Sequence, residues 1–509
     1  MLPTLDDLNL LATLPLLTLT GWAVLLVVLD LYVPEDKKIR TAWLAVIALV
    51  STGVVLGLQA AGIIPTQGVS AFNGLATADG YALFMQGTFL LTTLLGVLLA
   101  MNYLPRRGIE RGEYYTLLLF TTVGMMLMAL ANDLILVFLA LELLSIPLYI
   151  LSGFDRENPR SEEAALKYFL LGAFSSAFFV FGVALTYGGT ATTALEGIAA
   201  ALAGDAPNPI VAYVGMGLLL VGLGFKVAAV PFHMWTPDVY EGAPTPATAF
   251  MSVGAKAGGF AAMIRVFVVG FPGVAPQWGA LVAIIAIATM IVGNVIAISQ
   301  DDLKRMLGYS SIAHEGYILM AVAAAQFAEL VGARGTLAVT APAAAAFYLF
   351  TYTFTNIGAF GVVMAVEKDD GTGTGYEDFA GLGQSHPMLA IVMLIFMLSL
   401  TGIPLTAGFL GKFFVFQSAI AAVAAAGPVN AGLLLAMVIT GALTSVVSAY
   451  YYIRVVIMMY FRDGEGEAVT QPVLTGAIAL TGVATVLLGI VPAIAVGWAE
   501  DAVLAMMGG

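Results

Sequence analysis

Lys226 and Lys256 stand in one stretch, GFKVAAVPFHMWTPDVYEGAPTPATAFMSVGAKAGG, together with His233, Asp238, Glu241 and four prolines. Elsewhere Glu142, Lys167, Arg265 and Lys412 also fall inside long apolar runs. A basic side chain at the centre of a bilayer costs roughly 2.5–3.5 kcal/mol on insertion scales, so each must be partnered, hydrated, turned inward or snorkelled to the surface. The chemistry that suits such a group is proton transfer. A desolvated lysine binds its proton less tightly and a nearby carboxylate restores it, so moving either the partner or the water loads or releases a proton near neutral pH. Several such groups joined by water make a relay.

Depth supports the idea. At about 1.5 Å per helical residue, Glu142 lies roughly 14 Å into the run that starts at Asp133. Lys256 lies roughly 16 Å into its own, so both are near the middle of a ~30 Å hydrocarbon core. Lys167 is only a few residues in, and snorkelling is an alternative for it. Arg265, near the end of its run, reads as structural, and His386 as a loop residue before Pro387. Asp238 and Glu241 read as loop anchors in preference to proton uptake groups.

The elements that must position these residues are membrane helices. The sequence is 60% hydrophobic and 10% charged, with a mean hydropathy of +0.98. A soluble domain does not have that balance. About fourteen spans are expected: 10–33, 41–63, 80–104, 115–131, 133–153, 162–188, 208–231, 245–269, 275–299, 304–326, 338–366, 387–419, 431–461 and 472–497. Asp6 and Asp7 precede the first, with no Lys or Arg before Lys37, so it is expected to be retained and not cleaved as a signal peptide. With the N-terminus outside, Lys37, Lys38, Arg40, Arg106, Arg107, Arg111, Arg156, Arg160, Lys304, Arg305, Lys368, Arg454 and Arg462 all fall on the cytoplasmic side, and Arg334 alone outside. The positive-inside rule therefore predicts both termini outside.

Two spans are expected to be broken. Pro231 interrupts the seventh, and Gly402, Pro404 and Gly408 interrupt the twelfth just before Lys412. Broken helices are tolerated in membranes where they line a cavity or are shielded by protein. The absence of cysteine excludes iron–sulfur ligation by this chain, and its three histidines, His233, His314 and His386, argue against a bis-histidine haem. There is no nucleotide-binding fingerprint.

The motif PFHMWTPDVYEGAPTPATAFMSVGAKAGGFAAMIRVF closely resembles the signature of the subunit N family of bacterial respiratory complex I. LELLSIPLYIL, ALKYFLLGAFSSAFFVFG, LKRMLGYSSIAHEGY and SLTGIPLTAGFLGKF are similar to that family's motifs in the same order, from about Asn132 to Tyr451. The resemblance implies a proton relay formed by Glu142, Lys167, Lys226, Lys256, His314 and Lys412. It also implies an all-α polytopic fold with two inverted five-helix repeats, helices 4–8 and 9–13. The expected units are then 1–104, 115–269, 275–462 and 472–509. Glu315 departs from the family pattern, which has a small residue or methionine there, and reads as a pairing partner ahead of a relay member.

A complex I subunit of this kind is expected in a bacterial inner membrane beside K- and M-like neighbours. NAD, FMN, iron–sulfur clusters and quinone would be bound by partner subunits. No cofactor and no nucleic acid is expected on this chain. The competing readings are a sister subunit (L, M or an Mrp-type antiporter subunit), a structural scaffold, and a self-standing transporter for an organic solute. DVYEGAPTP is N-like, and Lys412 opposes M, which usually has glutamate there.

Overall fold

The computed structural model describes residues 8–64, 69–204, 206–327 and 340–506. Arg334 lies outside them. The described chain is a bundle of long helices: α1 (Leu14–Asp30), α2 (Ile39–Ala60), α3 (Gly80–Arg106), α4 (Gly112–Leu130), α5 (Leu134–Ser152), α6 (Pro159–Thr190) and α7 (Pro209–Lys226). They are followed by α8 (Thr245–Gly270), α9 (Ala275–Ala297), α10 (Leu303–Ala324), α11 (Ala341–Val366), α12 in two parts (Pro387–Thr401 and Ala407–Ala425), α13 (Pro428–Phe461), α14 (Pro472–Ile490) and α15 (Ala493–Met506). Two strands, β1 (Val69–Ala71) and β2 (Ala76–Ala78), make one antiparallel hairpin before α3.

Local chemistry sets where these helices begin. Asp79, Asp133, Asn158, Asn208 and Asp302 each accept a backbone N–H of the first turn, opening α3, α5, α6, α7 and α10. Proline follows directly at the start of α6 and α7, where the missing N–H costs nothing. Among the described residues, twelve helices are long and apolar enough to cross a membrane, with α1 and the first part of α12 shorter. α10 is not among the twelve, because Ser310, Ser311, His314 and Glu315 lower its hydropathy. Its side chains are buried along nearly the whole helix, so it sits inside the bundle, away from lipid.

Both expected breaks are present. α7 ends at Lys226, earlier than an interruption at Pro231 suggests. The residue before a proline avoids the helical region, so the chain must leave the helix ahead of Val230. Ala228 takes φ +57°, and the chain then resumes as a short helix, Trp235–Gly242. The indole N–H of Trp235 donates to the carbonyl of Phe225 at 3.1 Å, satisfying one end of the broken ladder. In α12 the break spans residues 402–406, with Gly402 at φ +92° and Leu405 at φ +70°. The last span is also shorter than expected. α14 stops at Ile490, before Pro492, and α15 continues separately, packed on α3 and α11.

The helix pairings recur in two sets. α4 packs on α5 and α8, α5 on α6, and α6 on α7; likewise α9 packs on α10 and α13, α10 on α11, and α11 on both parts of α12. The tight crossings correspond as well. A Cβ on Gly124 would come within 2.5 Å of the Leu144 backbone between α4 and α5, and one on Gly293 within 2.6 Å of the Ala313 backbone between α9 and α10. α8 and α11, one from each set, pack on each other and are almost wholly enclosed at the centre of the molecule.

Candidate functional site

Three of the lysines singled out from sequence are buried. Lys226, at the last turn of α7, is 2% exposed and donates to Ser145 Oγ at 2.8 Å and to the Tyr168 hydroxyl at 3.3 Å. Its position at a helix C-terminus sets its charge against the negative end of the dipole. Glu142 lies one turn before Ser145 on α5, within Coulombic reach of Lys226, and accepts a hydrogen bond from Ser176 of α6. No direct ion pair joins Glu142 to Lys226 among the described residues; Ser145 and Tyr168 stand around the ammonium instead.

Lys256, on α8, pairs with Glu315 of α10 at 3.2 Å, and both side chains are 1% exposed. The ammonium also donates to Ser311 Oγ and lies 5.3 Å from the centre of the Tyr240 ring. Removing one partner of such a pair leaves a bare buried charge and typically costs about 3–5 kcal/mol. The pairing expected of Glu315 is therefore present, and its partner is a lysine the sequence had already singled out. Next to Glu315 in the chain, His314 is held by two tyrosines, Nδ1 to Tyr348 at 2.6 Å and Nε2 to Tyr452 at 3.0 Å. Tyr452 in turn meets Ser310 at 2.5 Å. This places hydroxyls on both sides of an imidazole, the geometry that tautomer exchange requires if a proton is to be passed in either direction.

Lys412, in the second part of α12, is 5% exposed. It reaches back across the break to the carbonyl of Thr401 at 3.0 Å and stands over the Tyr317 ring at 4.7 Å. Thr401 ends the first part of α12, so the ammonium of this lysine, although carried by the second part, lies against the C-terminal end of a broken helix. Tyr317 continues inward through Asn294 at 3.3 Å to Tyr451 at 2.9 Å.

Lys167 is different. Its side chain is 41% exposed and pairs with Glu163 at 2.7 Å and Asp238 at 2.6 Å, so its geometry is that of the snorkelling alternative. Asp238 and Glu241 both accept from Arg305, at 2.8 and 2.7 Å. Burial alone would raise the Asp238 carboxyl, but the hydrogen bonds from Lys167 and Arg305 outweigh it and hold this group, outside the spans, below the usual carboxylate range. Arg265 makes a bidentate pair with Asp79, both bonds 2.7 Å, tying α8 to the start of α3. His386 lies at the start of α12 and meets the Gly466 carbonyl at 3.1 Å.

The sequence reading missed the hydroxyl and amide partners, Ser145, Tyr168, Ser311, Tyr348, Tyr452 and Asn294. Nothing distinguishes them in a chain of apolar helices until the helices are packed. No cluster of three or more metal-ligating side chains occurs among the described residues.

Comparison with known proteins agrees with this arrangement. Residues 131–444 match the family described as NADH:quinone oxidoreductase/Mrp antiporter, TM. The chain is similar to NADH-quinone oxidoreductase subunit N of Trichlorobacter lovleyi, 45% identical over 505 residues that cover 98% of this chain and 97% of the relative. It is similar to the protein of that description from Chloroflexus aggregans, 42% identical and covering 96% and 95% of the two chains. Among solved structures it resembles a chain of respiratory complex I from Thermus thermophilus with bound aureothin, at 33% identity and a TM-score of 0.77, covering 96% of this chain and all of that one. Because the family match spans more than half of the chain, and the subunit N relatives align over nearly all of it, the chain belongs to the antiporter-like membrane family of NADH:quinone oxidoreductase, in its subunit N branch.

Proposed function

We propose that the chain is the proton-translocating N subunit in the membrane arm of an NADH:quinone oxidoreductase. The observation that carries this is the row of buried Lys226, Lys256 and Lys412, distributed over both halves of the bundle, the first two bonded to hydroxyls and the third set over the Tyr317 ring. Protons would pass between Glu142 and Lys226, on to Lys256 with its partner Glu315, through His314, and out by Lys412. In each step the donor loses one unit of positive charge and the acceptor gains it, so each lysine is charged on receiving the proton and neutral on passing it on, with hydroxyls and water between them as carriers. Lys167 would act at the rim, where it pairs with acidic residues, and not in the buried row.

The recurring helix pairings support a division into 1–104, 115–269, 275–462 and 472–509, with the second and third units as inverted repeats. The basic cluster around Arg107, Arg160 and Lys304 supports a cytoplasmic placement for that face, with both termini on the periplasmic side of a bacterial inner membrane. Redox chemistry with NAD, FMN, iron–sulfur clusters and quinone would take place in partner subunits, among them K- and M-like neighbours. This chain would turn their conformational or electrostatic signal into proton movement. The test is Lys256→Ala in the assembled complex in vesicles. Loss of proton uptake and of coupled quinone reduction is expected; normal rates of both would overturn the reading.

A further inference from the structure

The basic face carries a cleft of about 860 Å³, lined by Arg107, Asp155 and Arg160 on one side and Asp369 to Gly375 on the other. A side pocket of about 20 Å³ shares Arg107, Asp155 and Arg160 with it, and by that measure holds about one water. Glu367 lies in this side pocket, at the end of α11, and is 2% exposed. Nothing in the relay described above uses it.

Its partners are unusual for a buried carboxylate. Oε1 accepts from the Tyr103 hydroxyl at 2.7 Å, and Oε2 accepts from Thr245. The cations nearby are engaged elsewhere. Arg106 donates to the backbone carbonyls of Met364 and Glu367, at 2.9 Å each, and its Nε faces Asp369 at 3.2 Å. Arg107 pairs with Asp155 at 2.8 Å, and Lys304 donates to the Ala243 carbonyl at 2.9 Å. A carboxylate clamped by a guanidinium is held in its charged form. Glu367 is bonded instead to two hydroxyls, each able to accept a proton on one side and give one up on the other.

Thr245 is also the first member of a stripe. Thr245, Thr248, Ser252 and Lys256 follow one another on α8 at spacings of three, four and four, so they share one face of the helix. The stripe covers about 17 Å of helix from the side pocket to the central lysine. Beside it, Asn356 of α11 is fully buried and donates to Ser252 Oγ at 2.6 Å, while its own Oδ1 has no protein partner. At the Lys256 end, the Tyr240 and Tyr352 hydroxyls and Glu315 Oε2 are likewise buried without a partner. Bridging water is what satisfies such atoms, and it would also close the gaps between successive hydroxyls.

We infer that Glu367 takes protons from the basic-face cleft and delivers them along the Thr245–Thr248–Ser252 face of α8 to Lys256. The inference rests on the relay reading above and gives it an inlet. The proton balance is simple. The Glu367 carboxylate takes a proton from hydronium and releases water; the carboxyl then gives that proton to the wire. The wire protonates the neutral amine of Lys256 at its other end, and the carboxylate is restored. A plain structural tie between α3, α8 and α11 would need only the two contacts, which an amide also makes by accepting with its oxygen and donating with its nitrogen to the other hydroxyl.

The experiment compares Glu367→Gln, Glu367→Asp and Lys256→Ala in the assembled complex, reconstituted in vesicles. It reads proton uptake and quinone reductase activity, with complex assembly checked on native gels. Glu367→Gln is expected to assemble and to lose about tenfold or more of both activities, as befits removal of one positioned acid–base group. Glu367→Asp, which keeps a titrating group, is expected to recover a large share. If Glu367→Gln pumps normally while Lys256→Ala does not, the inlet is wrong and the relay stands. If the aspartate variant is as inactive as the glutamine variant, restoring a titrating group restores nothing, and the inference fails. Normal pumping by Lys256→Ala would remove the relay itself.

Discussion

Around Lys226 the neighbours, and not an ion pair, decide how a proton is handled. The ammonium bonds to Ser145 and Tyr168, and Glu142 acts on it from a distance. In the proposed relay, loss of either charge would remove one member of a serial path, and a path fails at its missing member. Glu142→Ala and Lys226→Ala are each expected to lower proton pumping and coupled quinone reduction in the assembled complex. Glu142→Asp is expected to be milder, since the charge stays and only the reach shortens. Normal pumping in the alanine variants, measured in vesicles, would remove both residues from the path.

At the scale of the element, the two breaks do the positioning. A helix end exposes carbonyls that must find donors. In α7, Trp235 supplies one; in α12, Lys412 supplies one to Thr401. The break in α12 is enforced by glycine: a Cβ on Gly408 would lie 2.1 Å from the Ser399 carbonyl oxygen, and Gly402 takes a φ that other residues adopt at a cost of about 1–3 kcal/mol. The Lys412 ammonium is thus held against the C-terminus of the first part by the fold, and its task is expected to be release of a proton at the outer end of the second half. Lys412→Arg keeps the charge and a donor for Thr401 but does not deprotonate. It is expected to assemble and to pump at a small fraction of the normal rate. A normal rate would reduce Lys412 to a fixed charge.

Across the whole molecule, charge joins the two sets of helices. Asp238 takes Lys167 of α6 and Arg305 of α10, and Lys256 of α8 takes Glu315 of α10. The Asp238 carboxyl sits below its usual range in the folded chain. Its contribution to stability is therefore complete above the unfolded carboxylate's ordinary value and is lost as pH falls through the depressed folded one. Asp238→Asn is expected to lower the melting temperature at neutral pH. The gap from the unaltered protein should narrow as the pH drops below about 4, where unfolded aspartate begins to protonate. A gap that is independent of pH would show that Asp238 acts by packing alone.

Sequence by itself determined the class of this protein, both helix breaks and the lysines worth watching; of about fourteen expected spans, twelve described helices are long and apolar enough to cross a membrane. Those follow from hydropathy, proline and glycine chemistry and the cost of a charge in lipid, all of which act on a residue with little regard to its distant neighbours. It also marked Glu315 as a pairing residue, because a carboxylate so deep in a helix demands a partner. It did not name Lys256 as that partner, nor separate Lys167 at the rim from the three lysines inside. The termini of α7 and α14 were shifted by prolines whose influence reaches several residues upstream. Only tertiary structure decided which hydroxyls stand between the charges. Tyr168, Tyr348, Tyr452 and Ser311 come from helices far apart in the chain, and a hydroxyl can serve a charged group only when packing sets it within hydrogen-bond reach of that group.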